Sequence, residues 1–357
     1  MTSSDTAWDD DAFRARVQAE LDTFLGRQVP LLAPLGDDAT RLLEQARVSV
    51  AGGKRFRAAF CYWGFRALGF PPDEAALVRA CASLELLHAS ALVHDDYMDG
   101  SDTRRGRPST HVHFAAEHAS AGWSGPATTY GAAAAILLGD LLLSWADELL
   151  RRSGFGWDVL GPAMEVFDAC RTEVIAGQFL DVSVQARASA DVETAMTVLR
   201  YKSAKYSIER PLHLGAALAG ASAAHLSAHT EFGLPLGEAF QLRDDVLGVF
   251  GDPDVTGKPA GDDLVEGKRT VLVAEALARA SAADAALLDR SLGSALAEAE
   301  VERLRGIISS SGALDAVEAR ISALTDQALT ALRSSDFEPD AIEVLTALAD
   351  AATQRSV

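Results

Sequence analysis

Between Leu84 and Pro108 the chain reads LELLHASALVHDDYMDGSDTRRGRP: an apolar run ends in Asp95, Asp96 and Asp99, and Arg104 and Arg105 follow at once. At about 100° per residue, Asp95 and Asp99 stack on one face of a helix with Asp96 beside them. Like charges this close repel, so a folded chain keeps them together only where solvent or cations offset the repulsion. Clustered carboxylate oxygens suit Mg²⁺, which takes one or two carboxylates and completes its shell with water and substrate phosphate. The two arginines are natural partners for phosphate oxygens. The pattern predicts a magnesium–diphosphate site at the mouth of a helical pocket.

The arrangement occurs twice. Phe240-Gln241-Leu242-Arg243-Asp244-Asp245-Val246-Leu247-Gly248 again ends an apolar helix in paired carboxylates. Helical bundles build metal sites from carboxylates on facing helices. Several Mg²⁺ ions would turn two repulsive clusters into one electropositive cradle for a diphosphate. Lys202, Lys205, Lys258 and Lys268 are available to close its remaining sides.

On these residues the chain resembles the trans-isoprenyl diphosphate synthases, the polyprenyl synthetase family, over about residues 35–350. The family's DDxxD followed by RRG is present as Asp95-Asp96-Tyr97-Met98-Asp99 and Arg104-Arg105-Gly106. Its GGKRxR is Gly52-Gly53-Lys54-Arg55-Phe56-Arg57, its GQ is Gly177-Gln178, and its KT is Lys202-Ser203 with serine for threonine. Phe240-Gln241 with Asp244-Asp245 matches FQxxDD; Gly257-Lys258 and Gly267-Lys268-Arg269-Thr270 match the trailing GK and GKxT. One departure stands out: the third aspartate of the second motif is Gly248 here, which brings no ligand.

The resemblance implies an Mg²⁺-dependent prenyltransferase with three ions per active site. Asp95 and Asp99 would hold two ions and Asp244 a third, with Asp96 and Asp245 in support. Arg104, Lys202 with Ser203, and Lys258 would clamp an allylic diphosphate. Lys54, Arg57, His88 and Arg105 would hold isopentenyl diphosphate without metal. Gln241 would stand near the reacting carbons, and Lys268 would close a loop over the site. One turn before the metal ligands, Ser90 and Ala91 point along the same face, with Leu87 and Ser83 below. The family stops the growing tail with a bulky aromatic there; small residues predict the C20 product geranylgeranyl diphosphate, with C15 farnesyl diphosphate as the runner-up. A class I terpene cyclase usually carries a second metal motif built on Asn, Ser and Glu, and this chain has no asparagine. The HD pair His94-Asp95 is weak evidence for a phosphohydrolase, and a non-catalytic subunit would be expected to lose its aspartates.

These residues need a helical frame, and the chain supplies one. Of 357 residues 48% are hydrophobic and 7% aromatic, with Ala and Leu abundant, which favours helix over sheet. The reading is all-α: a single large helical bundle of the isoprenoid synthase type around a central cavity, over residues 11–357, after a disordered stretch at 1–10. Two helices are expected over 11–50, interrupted at Pro30 and Pro34. Pro71-Pro72-Asp73-Glu74 marks the start of the helix that carries the first aspartates. Residues 100–128 read as loop with one short helix, 131–250 as a succession of helices, 251–269 as a glycine-rich charged loop, and the rest as helical scaffold; no strand alternation is evident.

Lys+Arg 32 against Asp+Glu 51 gives a net charge of −19, which argues against nucleic acid as a partner. Cys61, Cys81 and Cys170 lack any metal or disulfide spacing and read as buried free thiols in a reducing compartment. The N-terminus has no signal-peptide pattern, and the apolar stretch 132–143 is too short to span a bilayer. A soluble, cytoplasmic homodimer is the expectation.

Overall fold

The computed structural model describes residues 10–188, 191–251 and 261–354. It is all-α, and its described residues pack as two compact units: one of residues up to 164 with 214–220, the other of 165–213 with 221 onward.

In the first unit α1 (Asp10–Leu32), α2 (Asp37–Val50) and α3 (Phe56–Arg66) surround α4 (Glu74–Met98). The predicted break at Pro30 is not there: Pro30 lies within the last turn of α1, and the interruption falls at Ala33–Leu35, a single 3₁₀ turn. Residues 1–9 lie outside the described residues, but Asp10 already opens α1. Asp73 caps α4 by accepting the amide of Ala76 at 3.0 Å. Fifteen of the 25 residues of α4 are buried, so it is apolar on nearly every side and forms the core of its unit. It is also the one described helix long and apolar enough to cross a membrane, but 78% of that apolar window is buried within the protein. The helix stops at Asp99, whose amide bonds Asp95 at 2.8 Å, because Gly100 takes φ +69°.

Next comes a hairpin too short for any sequence alternation to reveal. Strands β1 (Thr103–Arg104) and β2 (Arg107–Pro108) pair antiparallel, Thr103 with Pro108 and Arg104 with Arg107. Its two central residues, Arg105 at φ +53° and Gly106 at φ +71°, have the positive φ values of the tightest hairpin turns. The short helix expected within 100–128 is α5 (Thr110–Ala121), and α6 (Ala127–Arg151) follows it and packs along α4. The three cysteines are free and buried.

In the second unit α7 (Trp157–Arg187, from Glu165 onward), α8 (Val192–Leu199) and α9 (Arg210–Leu218, up to His213) accompany α10 (Ala223–Phe250). Between α8 and α9 the helical chain does not break but widens into a ten-residue π-helix, Arg200–Glu209. Such segments are rare and favour functional sites. Two glycines admit it. A Cβ on Gly177 of α7 would lie 2.6 Å from the Tyr201 carbonyl carbon, and one on Gly237 of α10 would lie 2.5 Å from the Ala204 oxygen. Beyond the glycine-rich loop, α11 (Asp262–Glu266), α12 (Val271–Arg279), α13 (Ala282–Ser291), α14 (Glu298–Ser310), α15 (Ala313–Ser334) and α16 (Pro339–Thr353) complete the unit. Leu242, Val246 and Val249 of α10 join Leu264, Val271, Leu272, Ile308 and Val317 in one apolar core.

Because Gly237 touches backbone rather than a movable side chain, Gly237→Ala is expected to destabilise the protein by about 1–3 kcal/mol through overpacking. A lower urea midpoint with unchanged slope checks it.

Candidate active site

In the first unit the end of α4 and the loop before α3 meet the hairpin. Asp95 and Asp99 are half-buried on the stripe of α4 that also carries His88 and Ala91. Asp96 is turned inward, 4% exposed, and accepts Arg104 Nε at 2.8 Å and its terminal guanidinium nitrogen as well. Asp96 thus holds Arg104 in place and leaves the outer face of the helix end to Asp95 and Asp99. Arg105 points elsewhere: it donates to the Ala51 carbonyl at 3.0 Å and lies against Gly53. A Cβ on Gly53, at φ +92°, would come within 3.1 Å of that guanidinium. Packing first, then the charges of Arg55 and neighbouring arginines, pulls Arg105 below its ordinary pKa, although the residue keeps solvent contact.

The GGKRFR segment divides its labour in a way the motif alone does not announce. Arg55 is buried, at φ +55°, and donates to Glu85 at 2.9 Å, Gln18 at 2.5 Å and the Val50 carbonyl at 2.6 Å. It staples the loop to α4, α1 and α2. Lys54 is exposed above the Phe56 ring, at 5.9 Å. Arg57 is half-buried beside His88. Burial first, then Arg57, Arg105, Arg104 and Arg55, pushes His88 well below the usual histidine value, so it is neutral at physiological pH. A neutral imidazole among four guanidinium groups is a ready anion-binding surface.

Of the predicted length-setting residues, Leu87 is buried. Ser90 is buried too, donating to the Gly139 carbonyl of α6 at 2.7 Å. Ala91 keeps partial exposure on the stripe of Asp95. His94 of α4 faces α6, with Nε2 3.2 Å from the Ile136 carbonyl.

In the second unit Asp244 is half-buried and Asp245 buried at the end of α10, with Gln241 donating to Asp245 at 2.9 Å. Gln241 therefore orients a carboxylate as well as standing in the motif. Burial first, opposed by Gln241 and reinforced by Asp263 and Asp244, holds the Asp245 carboxyl well above the usual carboxylate range. An oxygen-only donor set strained by its own repulsion fits a hard divalent cation. Among the described residues no three His, Cys, Asp or Glu side chains form a metal cage by themselves. An ion here would therefore complete its shell with water or a bound anion.

Lys202, on the π-helix beside half-buried Ser203, donates to Asp181 at 2.7 Å. Asp181 is 7% exposed and was overlooked in the sequence. Its signal was available: it follows Gln178 by three residues, one helical turn, on the same face of α7. Lys205 pairs with Glu173 at 2.9 Å. Lys268 pairs with Glu266 at 2.5 Å and Asp263 at 3.6 Å. Lys258 and Gly257 lie outside the described residues.

An all-helical frame that presents carboxylate pairs at helix ends, with a guanidinium cluster beside one pair, has the chemistry suited to enzymes that act on diphosphate esters. The comparisons narrow it. The polyprenyl synthetase family model matches residues 40–308. The geranylfarnesyl diphosphate synthase of Aeropyrum pernix is 34% identical over 85% of this chain and 91% of its own. The geranylgeranyl diphosphate synthase of Mycobacterium tuberculosis is 33% identical over 82% and 80%. The crystal structure of geranylgeranyl pyrophosphate synthase from Corynebacterium glutamicum, complexed with isoprenyl diphosphate and magnesium, superposes with a TM-score of 0.95 at 40% identity, covering 98% of this chain and 100% of that one. The chain belongs to the polyprenyl synthetase family and is a trans-prenyltransferase.

His213, also in the second unit, offers a clean pH test. It lies between Arg210, 3.2 Å from Nδ1, and Thr230, 2.9 Å from Nε2; burial first, then Arg210, pushes it down to about 4. The unfolded chain, with a histidine pKa of about 6.5, takes up this proton before the native state does. His213 should therefore cost stability progressively as pH falls from about 7 to about 4. The drop in urea midpoint between pH 7.5 and pH 5 is expected to shrink in His213→Gln.

Proposed function

We propose that this enzyme condenses isopentenyl diphosphate head-to-tail with dimethylallyl, geranyl and farnesyl diphosphates, giving geranylgeranyl diphosphate and pyrophosphate. The observation that carries the proposal is the surface of Arg57, Arg104 and Arg105 around neutral His88, on the same stripe of α4 as Asp95 and Asp99. It offers one diphosphate a metal-free seat next to carboxylates suited to a metal-bound one.

In this reading Asp95, Asp99 and Asp244 hold three Mg²⁺, and Asp96 and Asp245 support them. When bound, the metal neutralises charge that gathers on the departing diphosphate. Arg104, fixed by Asp96, and Lys202, fixed by Asp181, present their charges to the allylic diphosphate with little freedom left to lose, and Lys258 and Ser203 join them. Lys54, Arg57, His88 and Arg105 seat isopentenyl diphosphate. The allylic C–O bond ionises, the alkene attacks the allylic cation, and a proton is lost to the released pyrophosphate. Gln241 places its amide dipole near the reacting carbons, and Lys268 helps to exclude water, which would quench the cation as an alcohol.

Ala91, small and on the metal-ligand stripe, leaves room for a C20 tail. Ser90 is committed to the α6 backbone and sets the depth of that floor by fixing the helix spacing. Farnesyl diphosphate is the second product reading. We place the enzyme in the cytoplasm as a homodimer. Exposed Ile136 and Leu137 on α6 and, separately, Ile175 and Phe179 on α7 support the assembly.

Asp95→Asn is expected to lower condensation by at least about a thousandfold with an unchanged circular dichroism spectrum; near-normal turnover would remove the metal assignment. In separate incubations of isopentenyl diphosphate with farnesyl or geranyl diphosphate, Ala91→Phe is expected to lower C20 formation from farnesyl diphosphate and to stop the products of geranyl diphosphate at C15. Chain-length analysis of the dephosphorylated alcohols reads this directly.

A further inference from the structure

Two arginines of the first unit cap the same helix end. The last carbonyl of α2, on Val50, accepts Arg55 at 2.6 Å, and the next, on Ala51, accepts Arg105 at 3.0 Å. Both guanidinium groups stand at the negative end of the α2 dipole, where cations are favoured. From there they part. Arg105 stays exposed, whereas Arg55 turns into the protein and reaches Glu85 of α4 and Gln18 of α1. Glu85 lies one helical turn before His88, so the helix that supplies the imidazole also holds the loop that supplies Lys54 and Arg57.

Stability alone does not account for this pair. Arg55 and Glu85 are 6% and 5% exposed, and an ion pair so deep gains little over apolar side chains of the same size. Arg55 also holds φ at +55°, a left-handed conformation that a non-glycine residue keeps only when its surroundings enforce it. That conformation has a geometric result. Gly52 and Gly53, at φ +68° and +92°, turn the chain, and Arg55 goes inward while Lys54 before it and Arg57 after it keep contact with solvent. Arg57 is the second residue of α3, so wherever the start of that helix is fixed, its guanidinium is placed as well. Acceptors on α1, α2 and α4, at 2.5 to 2.9 Å, hold the buried guanidinium from three directions.

We propose that Glu85 is a positioning residue for isopentenyl diphosphate: by holding Arg55, it sets the loop on which Lys54 and Arg57 meet His88 and Arg105. The inference rests on the metal-free seat assigned under the proposed function and deepens it. Buried as it is, Glu85 acts through the Arg55 side chain and the backbone on either side of it. Electrostatics alone would give the opposite sign. Removing a carboxylate beside a cationic seat raises the local positive potential and would strengthen diphosphate binding. Loss of position weakens it, because the freed loop and its two long side chains must be ordered again when the anion binds. Experiment can therefore separate the two accounts.

Steady-state kinetics with isopentenyl and farnesyl diphosphates read the effect. Glu85→Gln is expected to raise KM for isopentenyl diphosphate at least about tenfold. KM for farnesyl diphosphate and kcat should stay within about threefold, a split that a general loss of fold would not produce. Buffer containing EDTA supplies a second readout. There inorganic pyrophosphate, titrated calorimetrically, should bind Glu85→Gln at least about fivefold more weakly than the parent. Should Glu85→Gln fail to fold, Arg55→Met/Glu85→Met replaces the pair by apolar side chains, a change that keeps or raises stability. This double variant is expected to show the same rise in KM, since nothing then ties the loop to Gln18 and Val50. An unchanged or lowered KM for isopentenyl diphosphate in a folded variant would overturn the proposal, and so would equal rises in both KM values. Condensation by the unaltered enzyme is assayed alongside. Its absence would sink the prenyl-transfer reading while leaving the pyrophosphate titration to decide the role of Glu85.

Discussion

Like charges held close against their own repulsion are the constraint on which this structure depends. In the second unit Asp244, Asp245 and Asp263 gather at the end of α10, and burial, reinforced by Asp263 and Asp244, raises the Asp245 carboxyl well above its ordinary range. In the first unit the signs are reversed: burial, reinforced by Arg57, Arg105, Arg104 and Arg55, pushes His88 well below its ordinary value. Neither cluster would assemble in a chain free to relax. Each is kept by apolar burial, of α4 in one unit and of the α10–α12 core in the other, and each becomes favourable when the opposite charge arrives.

Buried ion pairs carry this arrangement into the backbone. Arg55 with Glu85, Arg104 with Asp96, and Lys202 with Asp181 each tie a loop or an irregular segment to a helix. Such pairs contribute little net stability when intact, but breaking one leaves a buried charge unmatched. Their role here is directional. They use charges that repulsion alone would scatter to aim the remaining side chains.

Much of this was legible in the sequence. The helix caps, the aspartate-bearing helix ends and the all-α class follow from local chemistry, and Asp73 caps α4 where the Pro-Pro-Asp-Glu run predicts a start. What was not legible depends on contacts between distant segments. The π-helix exists because Gly177 and Gly237 leave it room, and neither glycine declares that partner locally. Arg55, inside a motif of basic residues, is indistinguishable by type from Lys54 and Arg57, yet it alone turns into the core.

The hairpin at Thr103–Pro108 carries a consequence for how this family can vary. Two residues form its turn, so the chain reverses at Arg105 and Gly106 and adjacent side chains leave in different directions: Arg104 toward Asp96, Arg105 toward Gly53. Direction in such a turn is set by counting residues. Inserting or deleting a single residue would turn both arginines away from these targets while leaving the Arg-Arg pair itself in the segment. The Arg-Arg-Gly triplet is therefore constrained in length more strictly than in chemistry, and substitutions should be easier to accommodate there than insertions or deletions.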